Sequence, residues 1–331
     1  MKIKKLVIDY SGLATYRTCP RKFLYALVRR RAPVAPSDAL SFGQCIHKAL
    51  AVWHTGGEVG TLELCEHNFK EFEDLGSTDY RIPHTCVRCR SLAAFVESAK
   101  ETNIVNLTPE TARSVHHGLN LLWHYFRIYG DPFSSFAPIN TQEMKPAVEL
   151  TLTAPLRLSD RATEIWYRGT IDAAVTELST EKIVGLEHKT TYYLNEAFLN
   201  RARLNDQVTG YIHLLRENVH PDIDTMIWNA LQTAPRKIQT DPGACFARTS
   251  TRRTREQLQD WRENTICTCR RILHDLEEES YETDMPNGCV QWNSMCPFAD
   301  VCNAPSAVRE EILLSNYVDN PWEGHAIEVA E

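Results

Sequence analysis

Asp172 in the stretch RGTID, followed by Glu187 and Lys189 in GLEHKT, is the group of residues with the most chemistry to offer. Side chains alternate faces along an extended strand, so Gly185, Glu187 and Lys189 share one face while Val184, Leu186 and His188 take the other. Two strands joined through the polar turn near Ser179 and Thr180 would set Asp172 beside Glu187. Paired carboxylates on one face make a hard-oxygen site suited to Mg²⁺ or Mn²⁺. Such an ion polarises a phosphodiester and lowers the pKa of a bound water, and a second ion can steady both the attacking and the leaving oxygens. A lysine two residues from the second acid can orient the water and offset charge that develops on the phosphate. The ordinary alternative is a surface hairpin carrying a Glu–Lys pair, and on spacing alone that alternative is favoured.

The elements that must position these groups are legible around them. AVELTLTAPL, EIWYRGTIDAAVTEL and KIVGLEHKTTYYL alternate β-branched and aromatic residues with polar breaks, which predicts three consecutive strands. Glu149 on the first of these could point into the same site, and other strand glutamates are equally placed to be merely exposed. Ahead of them, residues 9–31 read as a capped helical segment with Ser11 as N-cap and Pro20 as a break or new start. Residues 41–54 carry Ile46, Leu50 and Trp53 at helical spacing. Residues 55–105 are polar and irregular and read as an insertion, and 109–130 as a long helix ending at Gly130. A helix over 199–217, a strand over 225–233, a helix over 254–279 and a cysteine-bearing loop-like tail from 285 complete the pattern. There is no internal repeat and no low-complexity tract. This order predicts an α/β fold with a mixed sheet.

The bulk numbers set limits. With 331 residues the chain can form one large domain, or one with sizeable insertions. Its 43% hydrophobic and 24% charged residues are ordinary for a globular protein. No apolar run approaches the roughly 20 residues needed to span a bilayer, so no membrane partner is expected. The basic start, MKIKKLVIDYSG, has too short an apolar stretch for a signal peptide, which predicts a cytoplasmic setting. There the clustered thiols among the eleven cysteines are better read as metal ligands than as disulfides. A net charge of −7 argues mildly against a protein that coats nucleic acid. No G-x-x-x-x-G-K-[ST] loop occurs, so the chain has no ATP motor of its own.

In order along the chain stand Ser11, Leu13, Tyr16, Cys19 and Pro20, then Gly43 and His47, Gly169 and Asp172, Glu187 and Lys189, and Gln207 and Tyr211. This series resembles the PD-(D/E)XK nuclease superfamily, specifically its RecB-like and CRISPR-associated exonuclease branch, over nearly the whole chain. The resemblance implies a single nuclease domain over 1–331 with a restriction-endonuclease-like core. That core is a mixed central sheet flanked by helices, with a helical N-terminal part and a cysteine-bearing C-terminal clasp over 285–305. It implies that Asp172 and Glu187 are metal ligands, that Lys189 is the catalytic lysine, and that His47 is a further metal ligand. Gln207 and Tyr211, one helical turn apart, would support the site or contact DNA; a packed tyrosine beside a solvated glutamine is the alternative.

Cys289, Cys296 and Cys302 stand in C-x6-C-x5-C order. The resemblance implies that Cys19 joins them around a [4Fe–4S] cluster of structural role, with structural Zn²⁺ as the alternative occupant. The family's first spacing is x2 rather than x6, so Cys289 departs from its pattern. A second group, Cys65, His67, His84, Cys86 and Cys89, has zinc-ligand types, with chance clustering in an insertion as the alternative. Cys45, Cys245, Cys267 and Cys269 lack partners by spacing.

Arg17, Arg21, Lys22 and Arg29 to Arg31 form an early basic cluster. Arg248, Arg252, Arg253 and Arg255 form a later one, with Arg201 and Arg203 ahead of Gln207. They could line a phosphate groove, and Tyr192 and Tyr193 could stack on a base. Taken singly, each charge reads as a solvated face. The resemblance implies a Mg²⁺- or Mn²⁺-dependent deoxyribonuclease, an exonuclease on single-stranded DNA or DNA ends. It further implies a role in recombination, repair or phage DNA processing, beside a helicase, recombinase or integrase. The competing expectation is a non-catalytic iron–sulfur DNA-binding or scaffolding module.

Overall fold

The computed structural model describes residues 3–34, 38–55, 86–102, 104, 113–130, 135–141, 145–158, 163–284, 288–291, 294–320 and 326–329. The chain divides into two compact units, one of Met1–Pro36, Thr151–Gly169 and Thr254–Glu331, the other of Ser37–Leu150 and Thr170–Arg253. The strand Glu164–Glu177 contributes residues to both.

The second unit holds the acidic pair. Its part of Glu164–Glu177 runs antiparallel to Lys182–Thr191, with Ala173 opposite Leu186 and Val175 opposite Val184. Lys182–Thr191 pairs in parallel with Thr225–Gln232, setting Glu187 opposite Trp228 and Lys189 opposite Ala230. Phe246–Arg252 closes that edge antiparallel, with Asn229 opposite Arg248. A parallel pair cannot be joined by a tight turn, so the chain must cross over. The helices Glu196–Leu204 and Asp206–Asn218 make that crossing.

Helices flank this mixed sheet, which bears out the expected α/β architecture. Asp38–Thr55, Val87–Glu101 and Val115–Tyr129 bury Phe42, Ile46, Leu50, Trp53, Phe95, Leu122 and Phe126 in one cluster with Leu231 and Phe246. Trp53 and Phe126 stack with centroids 4.3 Å apart. The Val87–Glu101 helix overturns the reading of its residues as irregular. Its buried face mixes Val87, Leu92, Phe95 and Val96 with Ser91, Ala93, Ser98 and Ala99, and the serines and alanines blur its period.

In the first unit, Ile3–Ile8 pairs in parallel with Glu164–Tyr167 and antiparallel with Ala326–Val329. The helix Tyr10–Thr18 is capped by Asp9, whose carboxylate accepts from the Gly12 N–H at 2.7 Å. Ser11, expected as the cap, lies inside the first turn. Pro20 does open a new helix, Pro20–Phe23, which passes into a π-helical stretch at Leu24–Val28. Residues 9–31 are therefore three helical pieces, and Cys19 sits at the first break. Tyr16 Oη donates to Asp275 at 2.6 Å and Arg17 Nε to Thr268 Oγ1 at 3.3 Å, fastening Tyr10–Thr18 to the long helix Arg255–Glu278. Downstream, Tyr25, Phe298, Val301 and Leu313 form a small core. The tail is not loop throughout: Ala299–Asn303 and Arg309–Asn316 are helical.

Other departures are local. The helix expected over 199–217 is two helices, because Asn205 stops one and caps the next by accepting from the Gln207 N–H at 2.8 Å. The strands Ile3–Ile8 and Phe246–Arg252 were not expected; lysines interrupt the first and polar residues dominate the second. Among the described residues no helix is long and apolar enough to cross a membrane.

Gly118 sets how closely the Val115–Tyr129 helix approaches Phe95. A methyl group there would lie 2.0 Å from Phe95 Cζ, and an aromatic ring in a packed core cannot swing aside. Gly118→Ala is expected to destabilise the fold by about 1–3 kcal/mol, read as a lowered urea midpoint with an unchanged slope.

Candidate active site

Strand pairing brings Asp172 and Glu187 into one buried site. Asp172 is 8% exposed and Glu187 is 2% exposed. Such burial is costly for carboxylates unless partners replace water. Asp172 has partners for both oxygens: Oδ1 lies 2.8 Å from His47 Nδ1, and Oδ2 accepts from the His188 backbone N–H at 2.6 Å. His47 comes from Asp38–Thr55, so the helix of the G-x-x-x-H element does deliver its imidazole to the acids. Lys189 Nζ donates to Glu187 Oε1 at 2.5 Å and lies 5.5 Å from the Trp228 ring centroid. Glu187 Oε2 is buried with no hydrogen-bond partner among the described residues.

The electrostatics follow from these contacts. Burial by itself would raise Asp172, but the charge and hydrogen bond of His47, together with the His188 N–H, outweigh it and hold the carboxyl far below its ordinary range. Glu187 goes the other way. Its burial, reinforced by the Asp172 charge, exceeds the help it receives from Lys189 and pushes its carboxyl upward. Burial opposes protonation of His47, yet the Asp172 carboxylate overcomes it and raises the imidazole.

Glu149, on the strand Val148–Arg157, joins this site from the solvent side. One donor atom each from His47, Glu149 and Asp172 lie within 4.8 Å of one another. Partial desolvation, with Asp172 beside it, raises the Glu149 carboxyl.

A polar network around the Arg248 guanidinium lies behind the acids, and sequence reasoning missed it. Asn229 Nδ2 donates to His188 Nδ1 at 2.7 Å and to Tyr125 Oη at 3.1 Å. Arg248 donates to Asn229 Oδ1 at 3.1 Å and to Tyr125 Oη at 3.0 Å, with its guanidinium 3.6 Å from the Tyr129 ring centroid. His54 stacks on His188 at 5.1 Å. Burial, and then the nearby Arg248 charge, pulls His54 down to about 3, and burial also drives His188 well below the ordinary histidine value. One available signal was the spacing of His47 and His54, seven residues apart and so on one helical face.

In the later basic cluster, Arg252 and Arg255 are exposed, whereas Arg248 and Arg253 are turned inward. Arg248 is engaged as above, and Arg252 pairs with Asp224. Arg253 is 6% exposed and donates to Thr209 Oγ1, Thr251 Oγ1 and the Ala202 carbonyl. In the early cluster, Arg21 donates to the Tyr281 carbonyl and Arg31 pairs with Asp319. Arg201 and Arg203 are exposed, as are Tyr192 and Tyr193, whose rings meet edge to face at 4.7 Å. Gln207 Nε2 donates to Tyr211 Oη at 2.9 Å, so this pair is joined on one helical face, with Tyr211 buried and Gln207 half-buried.

The other unit gathers Cys19, Cys289, Cys296 and Cys302, all free thiols, around a cavity of about 150 Å³. Gly288 lets the chain close on Cys19: a methyl group at Gly288 would lie 2.9 Å from Cys19 Cβ and 3.0 Å from the Thr18 carbonyl oxygen. Of the second cysteine–histidine group, Cys65, His67 and His84 lie outside the described residues. Cys86 and Cys89 are buried, and Cys86 Sγ caps the Val87–Glu101 helix by accepting from the Cys89 N–H. Cys45, Cys245 and Cys269 are buried and Cys267 is exposed.

No curated protein matches this chain. The crystal structure of a candidate exonuclease from Eubacterium rectale is similar at a TM-score of 0.47 and 12% identity, covering 84% of each chain. The crystal structure of SSO0001 is similar at a TM-score of 0.24 and 15% identity, covering 36% of this chain and 48% of that one. A family model described as the PD-(D/E)XK nuclease superfamily matches residues 9–303, the stretch that carries every residue of the acidic site and all four thiols of the cavity. On that match the chain belongs to the PD-(D/E)XK nuclease superfamily.

Proposed function

We propose that this nuclease is a Mg²⁺- or Mn²⁺-dependent deoxyribonuclease that trims single-stranded DNA or DNA ends in recombination, repair or phage DNA processing. The observation that carries the reading is Glu187 Oε2, buried with no polar partner among the described residues and under the charge of Asp172. A buried oxygen of this kind is expensive unless a cation completes it. Oxygen donors with one imidazole suit a hard or borderline divalent ion, so the residues fit the group, and His47, Asp172 and Glu187 would hold it. When bound, such an ion polarises the scissile phosphodiester and acidifies a water. The chain's own groups supply the rest. Asp172 is kept ionised by His47 and the His188 N–H. The Lys189 ammonium, anchored on Glu187 Oε1, stands ready to offset charge developing on the phosphate. Burial and the Arg248 charge keep His188 and His54 neutral, so neither imidazole adds to the positive charge that Arg248 already places behind the acids.

The cysteine cavity supports a [4Fe–4S] cluster held by Cys19, Cys289, Cys296 and Cys302. A zinc ion held by the same four thiolates at about 2.3 Å is the alternative occupant. A cluster joining residue 19 to residues 289–302 closes a very long loop and stiffens the unit that holds it.

Three outcomes follow. With Mn²⁺ and end-labelled single-stranded DNA, Lys189→Ala is expected to lose about 10²-fold or more of the cleavage rate. If both proteins leave the DNA equally intact, the enzyme reading fails. Circular single strands should resist, since an exonuclease needs an end.

The raised Glu187 carboxyl sets a pH dependence. The folded protein holds this proton at pH values where the unfolded chain has released it. Metal-free stability is therefore lost as pH rises above the ordinary carboxylate pKa of about 4.3. Glu187→Gln removes that slope and stabilises the metal-free protein at pH 8 by on the order of 1–3 kcal/mol, while abolishing stabilisation by Mn²⁺. Thermal melts in EDTA and in Mn²⁺ at pH 5 and pH 8 measure both effects.

Anaerobically purified protein should be brown with broad visible absorbance. Gly288→Val, which presses on Cys19, should reduce the iron content. Colourless wild-type protein carrying zinc would defeat the cluster assignment.

A further inference from the structure

Glu149 has the left-handed backbone conformation, φ +51°, at the second residue of a β-strand. Residues with a Cβ pay for that conformation, and a strand ordinarily has no use for it. The distortion has a visible origin in the chain around it. The Val148 N–H bonds to the Pro146 carbonyl at 2.8 Å, and the Ala147 carbonyl is held by the Ala174 N–H at 2.8 Å. The strand is thus tied to the Asp172 strand at Ala147 and turns sharply two residues later.

That turn brings the Glu149 carboxylate to a defined place. One of its oxygens lies within 4.8 Å of a donor atom on each of His47 and Asp172. No hydrogen bond or ion pair within the described residues engages this carboxylate, and it faces solvent. The other acids of the site are already committed. Both Asp172 oxygens have partners and one Glu187 oxygen is tied to Lys189. Independently of Glu149, the buried Glu187 Oε2 lacks a polar partner among the described residues, which a cation would supply.

We infer that Glu149 is a fourth side-chain donor of the metal centre, forming with His47 and Asp172 the solvent-facing part of the ion's coordination, and that the strained backbone at residue 149 is what delivers it there. The inference rests on the metal-dependent reading above and adds to it a ligand outside the D…E-x-K series. Strain kept at a site where glycine would be easier is what a functional constraint on the side chain would produce.

The test separates the ligand from the backbone. Mn²⁺ titrations followed by electron paramagnetic resonance would compare the wild-type protein with E149Q and E149G, and melts in EDTA would compare E149A with E149G. Glu149 as ligand predicts about a 10-fold or greater weakening of Mn²⁺ binding in both E149Q and E149G. The strained backbone predicts that E149G melts above E149A, because glycine takes φ +51° without a Cβ clash. Unchanged Mn²⁺ affinity in E149Q and E149G, beside a wild type that binds, overturns this inference and leaves the nuclease reading standing. An E149G that melts at or below E149A overturns the assignment of the backbone distortion. A wild type that binds no Mn²⁺ overturns the metal-dependent reading and Glu149's role with it.

Discussion

Two carboxylates removed from water side by side are the constraint around which the second unit is organised. Asp172 and Glu187 repel one another and each loses hydration, so the surrounding chain must supply compensation. It does so unequally. Asp172 receives an imidazole and a backbone N–H, whereas Glu187 receives one ammonium and keeps an unmatched oxygen. Two chemically similar groups thereby acquire opposite protonation tendencies, one held ionised and the other inclined to keep its proton. On the reading proposed above, a cation would complete the oxygen that Glu187 leaves unmatched.

Holding such a pair in place requires rigid support on both sides of the sheet. On the Glu187 face, Gly185 has no side chain, and a methyl group there would lie 2.7 Å from Leu215 Cδ1 of the crossover helix. On the opposite face, His188, Asn229, Tyr125 and Arg248 interlock through hydrogen bonds, with Arg248 lying over Tyr129. Buried networks of this type rigidify when satisfied and are costly when partly broken. Arginine suits the task because its planar fork bonds two partners while its face stacks on an aromatic ring. The same residue on a surface would have read as one more phosphate contact.

How much of this was legible in the sequence depends on the range of the interaction. Strand alternation put Glu187 and Lys189 on one face, and the short turn after Glu177 aligned Asp172 with them, because both signals are local. His47 could be placed by its motif alone. The Asn229–His188–Tyr125 network joins residues 41 and 104 positions apart, and no periodicity announces such partners. The Asp9 cap was misplaced by two residues because DYSG offers two capping side chains, and only the Gly12 N–H decides between them. The Val87–Glu101 helix was hidden because serines and alanines interrupt the hydrophobic residues of its buried face. Glu149 was visible only as one strand glutamate among several, since a positive φ leaves no mark on composition.

The order of the segments along the chain has a consequence for synthesis. The unit that carries the acids and Lys189 draws on residues 37–150 and 170–253, so its strands and helices have all been made by residue 253. The other unit interleaves three stretches, and its N-terminal strand Ile3–Ile8 pairs with Ala326–Val329, over three hundred residues later. A ribosome therefore delivers the acidic pair and Lys189 before the strand Ala326–Val329 that Ile3–Ile8 pairs with has emerged. During that interval the edge of Ile3–Ile8 that later meets Ala326–Val329 has unpaired N–H and C=O groups, a nascent-chain liability of the kind chaperones exist to shield.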